Sequence, residues 1–224
     1  MMSWSSGKDC AWALHVLRQD PAVEVVGLLT TLNTIHDRVA MHSTRRSILE
    51  AQAGALGLEL HIVPLPWPCS DELYEAAMRD SIEQALAMGV THVAFGDLFL
   101  GDVREYREKQ LSEVPLEPLF PIWGETTAEL SRKMVESGLE AVITSVDPKQ
   151  LPGSFAGRRY DHALLEELPS GVDPCGERGE FHSCVLNAPG FSAPIVATIG
   201  EIVERDGFVF ADVIPQRNGR RDAS

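Results

Sequence analysis

The chain has 224 residues, 44% of them apolar and 23% charged, which is ordinary usage for one large domain or a core with an appendage. A formal charge of −14 disfavours a broad nucleic-acid surface, because phosphate contacts need clustered Lys and Arg. No apolar run approaches the roughly 20 residues of a membrane helix, and no signal peptide is visible at the start, so the cytoplasm is the expected compartment and no membrane partner is expected.

The first segment reads MMSWSSGKDCAW. Its Gly7-Lys8 pair does not complete the mononucleotide loop G-x-x-x-x-G-K-[ST], since Asp9 stands where Ser or Thr belongs. If Met2–Trp4 end a strand and Lys8 or Asp9 begins a helix, then Ser5, Ser6 and Gly7 form the turn between them. Such a turn suits a pyrophosphate: Gly7 admits close approach, first-turn N–H groups lack intrahelical partners, and the two hydroxyls donate. Lys8 adds positive charge, and Asp9 can hold Mg²⁺. A serine N-cap before an ordinary amphipathic helix fits the same spacing. Only four residues precede the turn, fewer than a central strand usually has, so further residues upstream are expected.

Along the chain, VEVVGLLTT (23–31) reads as a strand buried on both faces. A helical pattern follows from about Arg38 to Leu56, with Gln52 as an off-pattern polar residue. LELHIVPL (58–65) is a second strand. DELYEAAMRDSIEQALAMG (71–89) is a helix capped by Asp71 and stopped by Gly89. VTHVAFGD (90–97) is a third strand, 102–113 a charged helix, 126–138 a capped helix, and LEAVITSV (139–146) another strand. Repeated β-α units point to a parallel sheet with helices on both faces, whose ligands bind beyond the carboxyl ends of the strands. Ser5–Cys10, Thr30–Asn33, Asp97–Asp102 and Ser145–Asp147 all follow strands.

From about Pro148 the texture becomes rich in Gly and Pro. A short helix is read at 162–169, a polar loop-rich stretch at 170–191, and a hairpin at 195–215 around Arg-Asp-Gly. The expected organisation is therefore an α/β domain at 1–147, a smaller portion at 148–215, and a disordered tail at 216–224. The four cysteines form no C-x-x-C pair, which argues against a zinc ribbon or a thioredoxin-type pair.

Several side chains carry candidate chemistry. His42, Arg45 and Arg46 open a helix, and arginine forks suit phosphate or carboxylate. Asp97 follows the third strand and suits metal or ribose. Arg104 and Arg107, flanking Tyr106, share a helix face. In Cys175-Gly-Glu177-Arg-Gly-Glu180-Phe-His182-Ser-Cys184, Glu180 and His182 alternate, so on a strand they face one side. A carboxylate beside an imidazole suits acid/base work or the capture and deprotonation of ammonium.

SSGKDC resembles the Ser-Gly-Gly-x-Asp-Ser signature of the PP-loop ATP pyrophosphatases. The rest of the chain resembles the diphthine–ammonia ligase family and its bacterial relatives. That resemblance runs through MHSTRRSILEAQAGALGL (41–58), FGDLFLGDVREYREKQL (95–111), PLFPIWGETTAEL (118–130) and GVDPCGERGEFHSCVLNAPGF (171–191). Ser6 replaces the signature's first glycine and must adopt that glycine's backbone angle, at a cost. Cys10 replaces its last serine, and Ser183 the family's threonine.

The resemblance implies a doubly wound parallel sheet of the adenine-nucleotide α-hydrolase type with a smaller C-terminal substrate portion. It implies an enzyme that adenylates a carboxylate with ATP, releases AMP and pyrophosphate, and transfers ammonia. ATP would be bound by Ser5, Ser6, Gly7, Lys8, Asp9, Cys10, His42, Arg45 and Asp97, with Mg²⁺ on Asp9. Substrate would meet Arg104, Tyr106, Arg107 and Ser183, and Glu177, Glu180 and His182 would act in catalysis. The implied partners are free ammonium and a carboxylate acceptor, either diphthine on a translation elongation factor or a small molecule; a homodimer is the assembly entertained. A tRNA-modifying PP-loop enzyme is the first alternative, weakened by the acidic charge. A non-catalytic ATP-binding or sensor protein is the second, supported by Ser6 and Cys10.

Overall fold

The computed structural model describes residues 1–39 and 41–216. The expected tail falls outside the described residues from 217 onward.

The N-terminal part alternates strand and helix: β1 (Met2–Ser3), α1 (Lys8–Leu17), β2 (Gly27–Asn33), α2 (Arg46–Leu56), β3 (Glu59–Leu65), α3 (Asp71–Ala87), β4 (His92–Ala94), α4 (Gly101–Leu111) and β5 (Glu117–Leu119). The five strands form one sheet in the order β3-β2-β1-β4-β5, with every neighbouring pair parallel. This is the doubly wound α/β arrangement. After β3 the chain crosses back past β1 to lay down β4, so strand order reverses between β1 and β4. The crevice beyond the carboxyl ends of these two strands is where ligands bind in such sheets.

α5 (Thr127–Glu136), β6 (Glu140–Val146), α6 (His162–Glu167), β7 (Phe181–Asn187), β8 (Ala197–Arg205) and β9 (Phe208–Pro215) complete the chain. The strands form a second sheet, ordered β7-β6-β9-β8 and antiparallel throughout. Among the described residues no helix is long and apolar enough to cross a membrane.

Several elements differ from the sequence reading. The strand at 139–146, read with the parallel sheet, pairs instead with β7 and β9. Its residues after Glu140 are all buried, and burial on both sides looks the same in either kind of sheet. The stretch 170–191, read as loop, contains β7, on which Ser183 is buried and accepts from the Lys8 N–H. The β2 run begins at Gly27 rather than Val23, and the helix read from Arg38 begins at Arg46. The intervening residues fold as a strap bridged to Asn33 and Arg45, with Asp37, Met41 and Ser43 all at positive φ. Ser70, not Asp71, caps α3, its hydroxyl accepting from the Leu73 N–H at 3.3 Å. The Arg-Asp-Gly hairpin is present, and Asp206 and Gly207 both take positive φ, as a two-residue hairpin turn of the primed type requires.

Two cores flank the parallel sheet. Met2, Trp4, Leu28 and Leu32 face α1, α2 and the antiparallel sheet in the larger one. Leu29, Val93 and Phe95 face α3 and α4 in the smaller one. The alternation of Leu28 and Leu29 across the sheet follows from the two-residue period of a strand.

Candidate active site

The turn Ser5–Gly7 stands at the carboxyl end of β1, and Gly7 is the N-cap of α1 without a capping side chain. The first-turn N–H groups therefore point beyond the sheet edge. Ser6 is fully buried at φ 73°, a left-handed angle that favours glycine. Its surroundings hold it there. Its hydroxyl lies 2.7 Å from the Thr44 hydroxyl, and its carbonyl accepts from the Val185 N–H at 2.9 Å and from Gln52 Nε2 at 3.1 Å. Gln52 also accepts from the Trp4 indole at 2.8 Å and donates to the Val185 carbonyl at 2.8 Å. This single amide thus ties α2, the turn and β7 together. Gly96, after β4, lies so close to α1 that a Cβ there would stand 2.8 Å from Asp9 backbone carbon.

Lys8 turns inward. Its ammonium group is 2.9–3.0 Å from both Asp9 oxygens, donates to the Cys175 carbonyl, and lies 5.5 and 5.4 Å from the Tyr160 and Phe181 ring centres. Burial works against its charge, but Asp9 and its other anionic neighbours outweigh that and raise its pKa. Its backbone N–H is taken by the Ser183 hydroxyl at 3.2 Å. The Cys10 thiol donates to the Gly7 carbonyl, and burial pushes its pKa to about 11, so it stays protonated. Ser5 remains half-buried beside it, its hydroxyl 3.5 Å from the Cys10 sulfur.

Residues 173–180 form a tightly bonded loop. Glu180 accepts from the Asp173 N–H at 2.8 Å and the Arg178 N–H at 2.9 Å. Asp173 accepts from the Cys175 N–H and the Thr127 hydroxyl, and Tyr160 donates to the Pro174 carbonyl. Gly176 is at φ 69°, where a Cβ would meet the Phe181 carbonyl at 2.7 Å. The loop presents Glu177 across the gap to β4, where it accepts from the Leu98 N–H at 2.8 Å. Burial, with Asp9 and Asp97 nearby, lifts the Glu177 pKa to about 7.

The pairing expected between Glu180 and His182 does not occur, because Glu180 precedes β7 and spends its oxygens on backbone amides. The neighbour of His182 is His42, with ring centres 4.6 Å apart. His42 Nδ1 lies 3.2 Å from the Ser183 carbonyl. Burial lowers both imidazoles, His42 to about 4 and His182 to about 3. Arg45 leaves the site: it forks onto Asp212 of β9 at 2.9 and 2.5 Å, and Arg38 joins from the strap at 2.9 Å. These two arginines hold Asp212 down at about 2 against the effect of its burial.

Asp97 faces Arg107 at 3.6 Å, yet Asp97 Oδ2 and Arg107 Nε are both buried without a hydrogen-bond partner. Burial and the proximity of Asp9 raise its pKa. Among the described residues no three His, Cys, Asp or Glu side chains are arranged to hold a metal ion by themselves. Mg²⁺, however, commonly takes one or two carboxylates and completes its shell with water and substrate phosphate. The orphaned Asp97 oxygen, electrostatically coupled to Asp9, is a donor set of that kind. Arg104 lies 4.8 and 4.9 Å over the Phe120 and Trp123 rings and Arg107 4.9 Å over Phe95, so they share one helix face.

A cleft of about 650 Å³ opens between α3 and α4 over the outer face of the parallel sheet. Leu29, Val93 and Phe95 are among its floor, Ser5 and His42 stand at the serine-glycine turn, and Tyr74 and Tyr106 come from the helices. The Thr30 hydroxyl is buried on its edge without a partner. Sequence reading missed Gln52, Thr44, Asp173 and Asp212. Only Gln52 left a signal, as the polar interruption of an apolar helix face.

Residues 126–209 match the family model described as diphthamide synthase C-terminal domain. The motif at 171–191 lies within that match. The chain is 32% identical over 120 residues to diphthine–ammonia ligase of Rattus norvegicus, covering 51% of this chain and 45% of that one. It is 33% identical over 134 residues to the Danio rerio diphthine–ammonia ligase, covering 56% and 51% respectively. For the Schizosaccharomyces pombe diphthine–ammonia ligase the figures are 32% over 101 residues, 43% and 17%. The chain thus spans about half or less of the length of these relatives.

Proposed function

We propose that this protein is an ATP-dependent carboxylate–ammonia ligase of the diphthine–ammonia ligase type. The observation that carries the reading is the meeting of three things at the β1/β4 reversal: an uncapped helix N-terminus with a locked serine-glycine turn, a carboxylate group from α1 and β4, and Glu177 delivered from the second half. ATP would lie with its phosphates on Ser5–Gly7 and the first turn of α1, and its adenosine in the α3–α4 cleft. Thr30 offers a free hydroxyl there. Asp9 and Asp97 would hold Mg²⁺, which when bound would neutralise charge on the departing pyrophosphate.

Ser6, Lys8, Cys10 and Ser183 act by shaping the turn, since their polar groups are already engaged within the protein. Glu180 shapes the loop that carries Glu177. Tyr106 and Arg107 line the cleft, and Arg104 stiffens the adjoining aromatic surface. Glu177 is poised to exchange a proton near neutrality and faces the space where an acceptor carboxylate would approach the α-phosphate. The carboxylate attacks that phosphorus, pyrophosphate leaves, and ammonia displaces AMP from the acyl-adenylate. The protein contributes mainly position and fixed charge.

Incubation with ATP, Mg²⁺, ammonium and a diphthine-bearing elongation factor tests this. AMP and pyrophosphate in equal amounts are expected. Release of ADP and phosphate instead would overturn the reading, and ATP binding with no product would favour a non-catalytic role.

A further inference from the structure

We propose that Thr44 is a positioning residue for ATP binding. Its hydroxyl keeps Ser6 at a glycine's backbone angle, and Asp212, on β9 of the second sheet, acts on the serine-glycine turn through Thr44. This rests on the ligase reading above, which puts the phosphates of ATP on that turn.

Ser6 at φ 73° is strained for a residue with a Cβ, and such a residue persists only where its surroundings over-determine it. Two of the groups that hold it, the Val185 N–H and the Gln52 amide, take its carbonyl. Those bonds would serve a glycine equally well. The hydroxyl is different, because a glycine has none. It is wholly buried, and its partner among the described residues is the Thr44 hydroxyl at 2.7 Å, itself 1% exposed. Without that partner the Ser6 hydroxyl would be a buried polar group left unpaired. Turning the backbone out of the left-handed region would then relieve the strain and re-aim the first-turn N–H groups of α1.

Thr44 is in turn fixed from both flanks. Its carbonyl accepts from the Val39 N–H at 2.9 Å. Before it, the Ser43 carbonyl accepts from Arg38 Nη1 at 2.7 Å, with Ser43 at φ 55°. After it, Arg45 forks onto Asp212 at 2.9 and 2.5 Å. Arg38 also reaches Asp212, at 2.9 Å, and lies opposite Arg45 across the strap. One carboxylate thus holds both the arginine that follows Thr44 and the arginine that fixes the carbonyl before it. The same corner of the strap carries His42, whose Cε1 would stand 3.0 Å from a Cβ on Gly7. A turn already held in its bound shape needs no reorganisation when phosphate arrives, so the Asp212–strap–Thr44 chain acts on affinity for ATP.

A double-mutant cycle on ATP affinity tests this, read by calorimetry on the full chain with Mg²⁺. Thr44→Val removes the hydroxyl at nearly constant shape and is expected to weaken ATP binding about tenfold, within the range for one buried polar group left unpaired. Thr44→Ser, which keeps the hydroxyl, should recover most of that loss. Asp212→Asn should weaken binding about threefold at pH 7, as suits a partly exposed ion pair acting at a distance. Ser6→Gly removes the strained Cβ and the hydroxyl together, so in that background neither Thr44→Val nor Asp212→Asn should move the affinity. A Thr44 that only packs the strap would give the same loss with and without Ser6→Gly. That result, or an unchanged affinity in Thr44→Val, would overturn the proposal. Thermal unfolding checks each variant. If Thr44→Val unfolds, Asp212→Asn carries the cycle, and a missing loss, or one that persists beside Ser6→Gly, overturns the proposal. AMP and pyrophosphate release is followed in parallel. A wild type that binds ATP and releases neither defeats the ligase reading while the cycle still decides the role of Thr44; a wild type that binds no ATP defeats both.

Discussion

The two faces of the parallel sheet are covered by helices of very different fit. On one face α1 lies between two sheets, and six of its ten residues are buried, Lys8 included. On the other, α3 has 17 residues and only Ala85 is fully buried, while α4 contributes only Leu111. The difference follows from what lies behind each helix. α1 has the antiparallel sheet at its back, so most of its surface meets protein and even the Lys8 ammonium finds its partners inside. α3 and α4 have water behind them, pack on one side only, and leave the cleft between them. A rigid turn and an open cleft therefore come from opposite faces of one sheet.

The largest expected effect is on the dry face. Gln52→Leu removes three buried hydrogen bonds, to the Trp4 indole and to the Ser6 and Val185 carbonyls, of which Ser6 keeps the Val185 N–H; at about 1–3 kcal/mol for each group left unpaired, urea unfolding should show a loss of about 4 kcal/mol. Gln110→Leu on α4 loses only an exposed contact with Tyr106 and should stay within about 0.5 kcal/mol. Next, Leu14→Ala on α1 should cost about 3 kcal/mol, while Ile82→Ala beside the cleft should cost about 1 kcal/mol, since less apolar surface is removed from contact. Equal losses from Leu14 and Ile82 would break the comparison.

The site joining the faces has its own signature. Glu177 has its folded pKa raised to about 7, so its ionisation costs stability at higher pH. Glu177→Gln should raise the melting temperature at pH 8. The gain should shrink as pH falls through about 7 and vanish below the unfolded value near 4.5, and on the proposed function the release of AMP and pyrophosphate should be lost at every pH. A melting temperature that falls at pH 8 would count against this electrostatic account. The smallest effect concerns the strap. Asp212 is depressed to about 2, so its bonds to Arg38 and Arg45 stabilise the fold above about pH 3.8 and fade as pH drops to about 2. Asp212→Asn should cost about 1 kcal/mol at pH 7, an exposed-pair magnitude, and nothing at pH 2 in matched thermal melts.

The resemblance through residues 171–191 falls within the stretch that the family model matches, yet it did not reveal that Glu180 and Asp173 are spent on backbone amides. Charged letters in a glycine-rich stretch look alike whether they bond a substrate or their own loop. Lys8 was legible as a cation beside the serine-glycine turn, and His42 as a candidate at the opening of a helix. Which way each one points was not, because their partners lie beyond residue 170.

What the sequence by itself determined is local. The β-branched runs, the helix stops and the Asp206-Gly207 hairpin follow from periodicity and from backbone angles that few residues accept. The serine-glycine turn before a helix follows from the same rules. Only the tertiary structure decided that β6 belongs to the antiparallel sheet, that Ser6 is held at a glycine's angle by Thr44, Gln52 and Val185, that Arg45 serves Asp212, and that His42 meets His182. Periodicity reports how much of a residue is buried and never against what; these partners are chosen by hydrogen bonds and charges that close only when segments far apart in the chain are packed together.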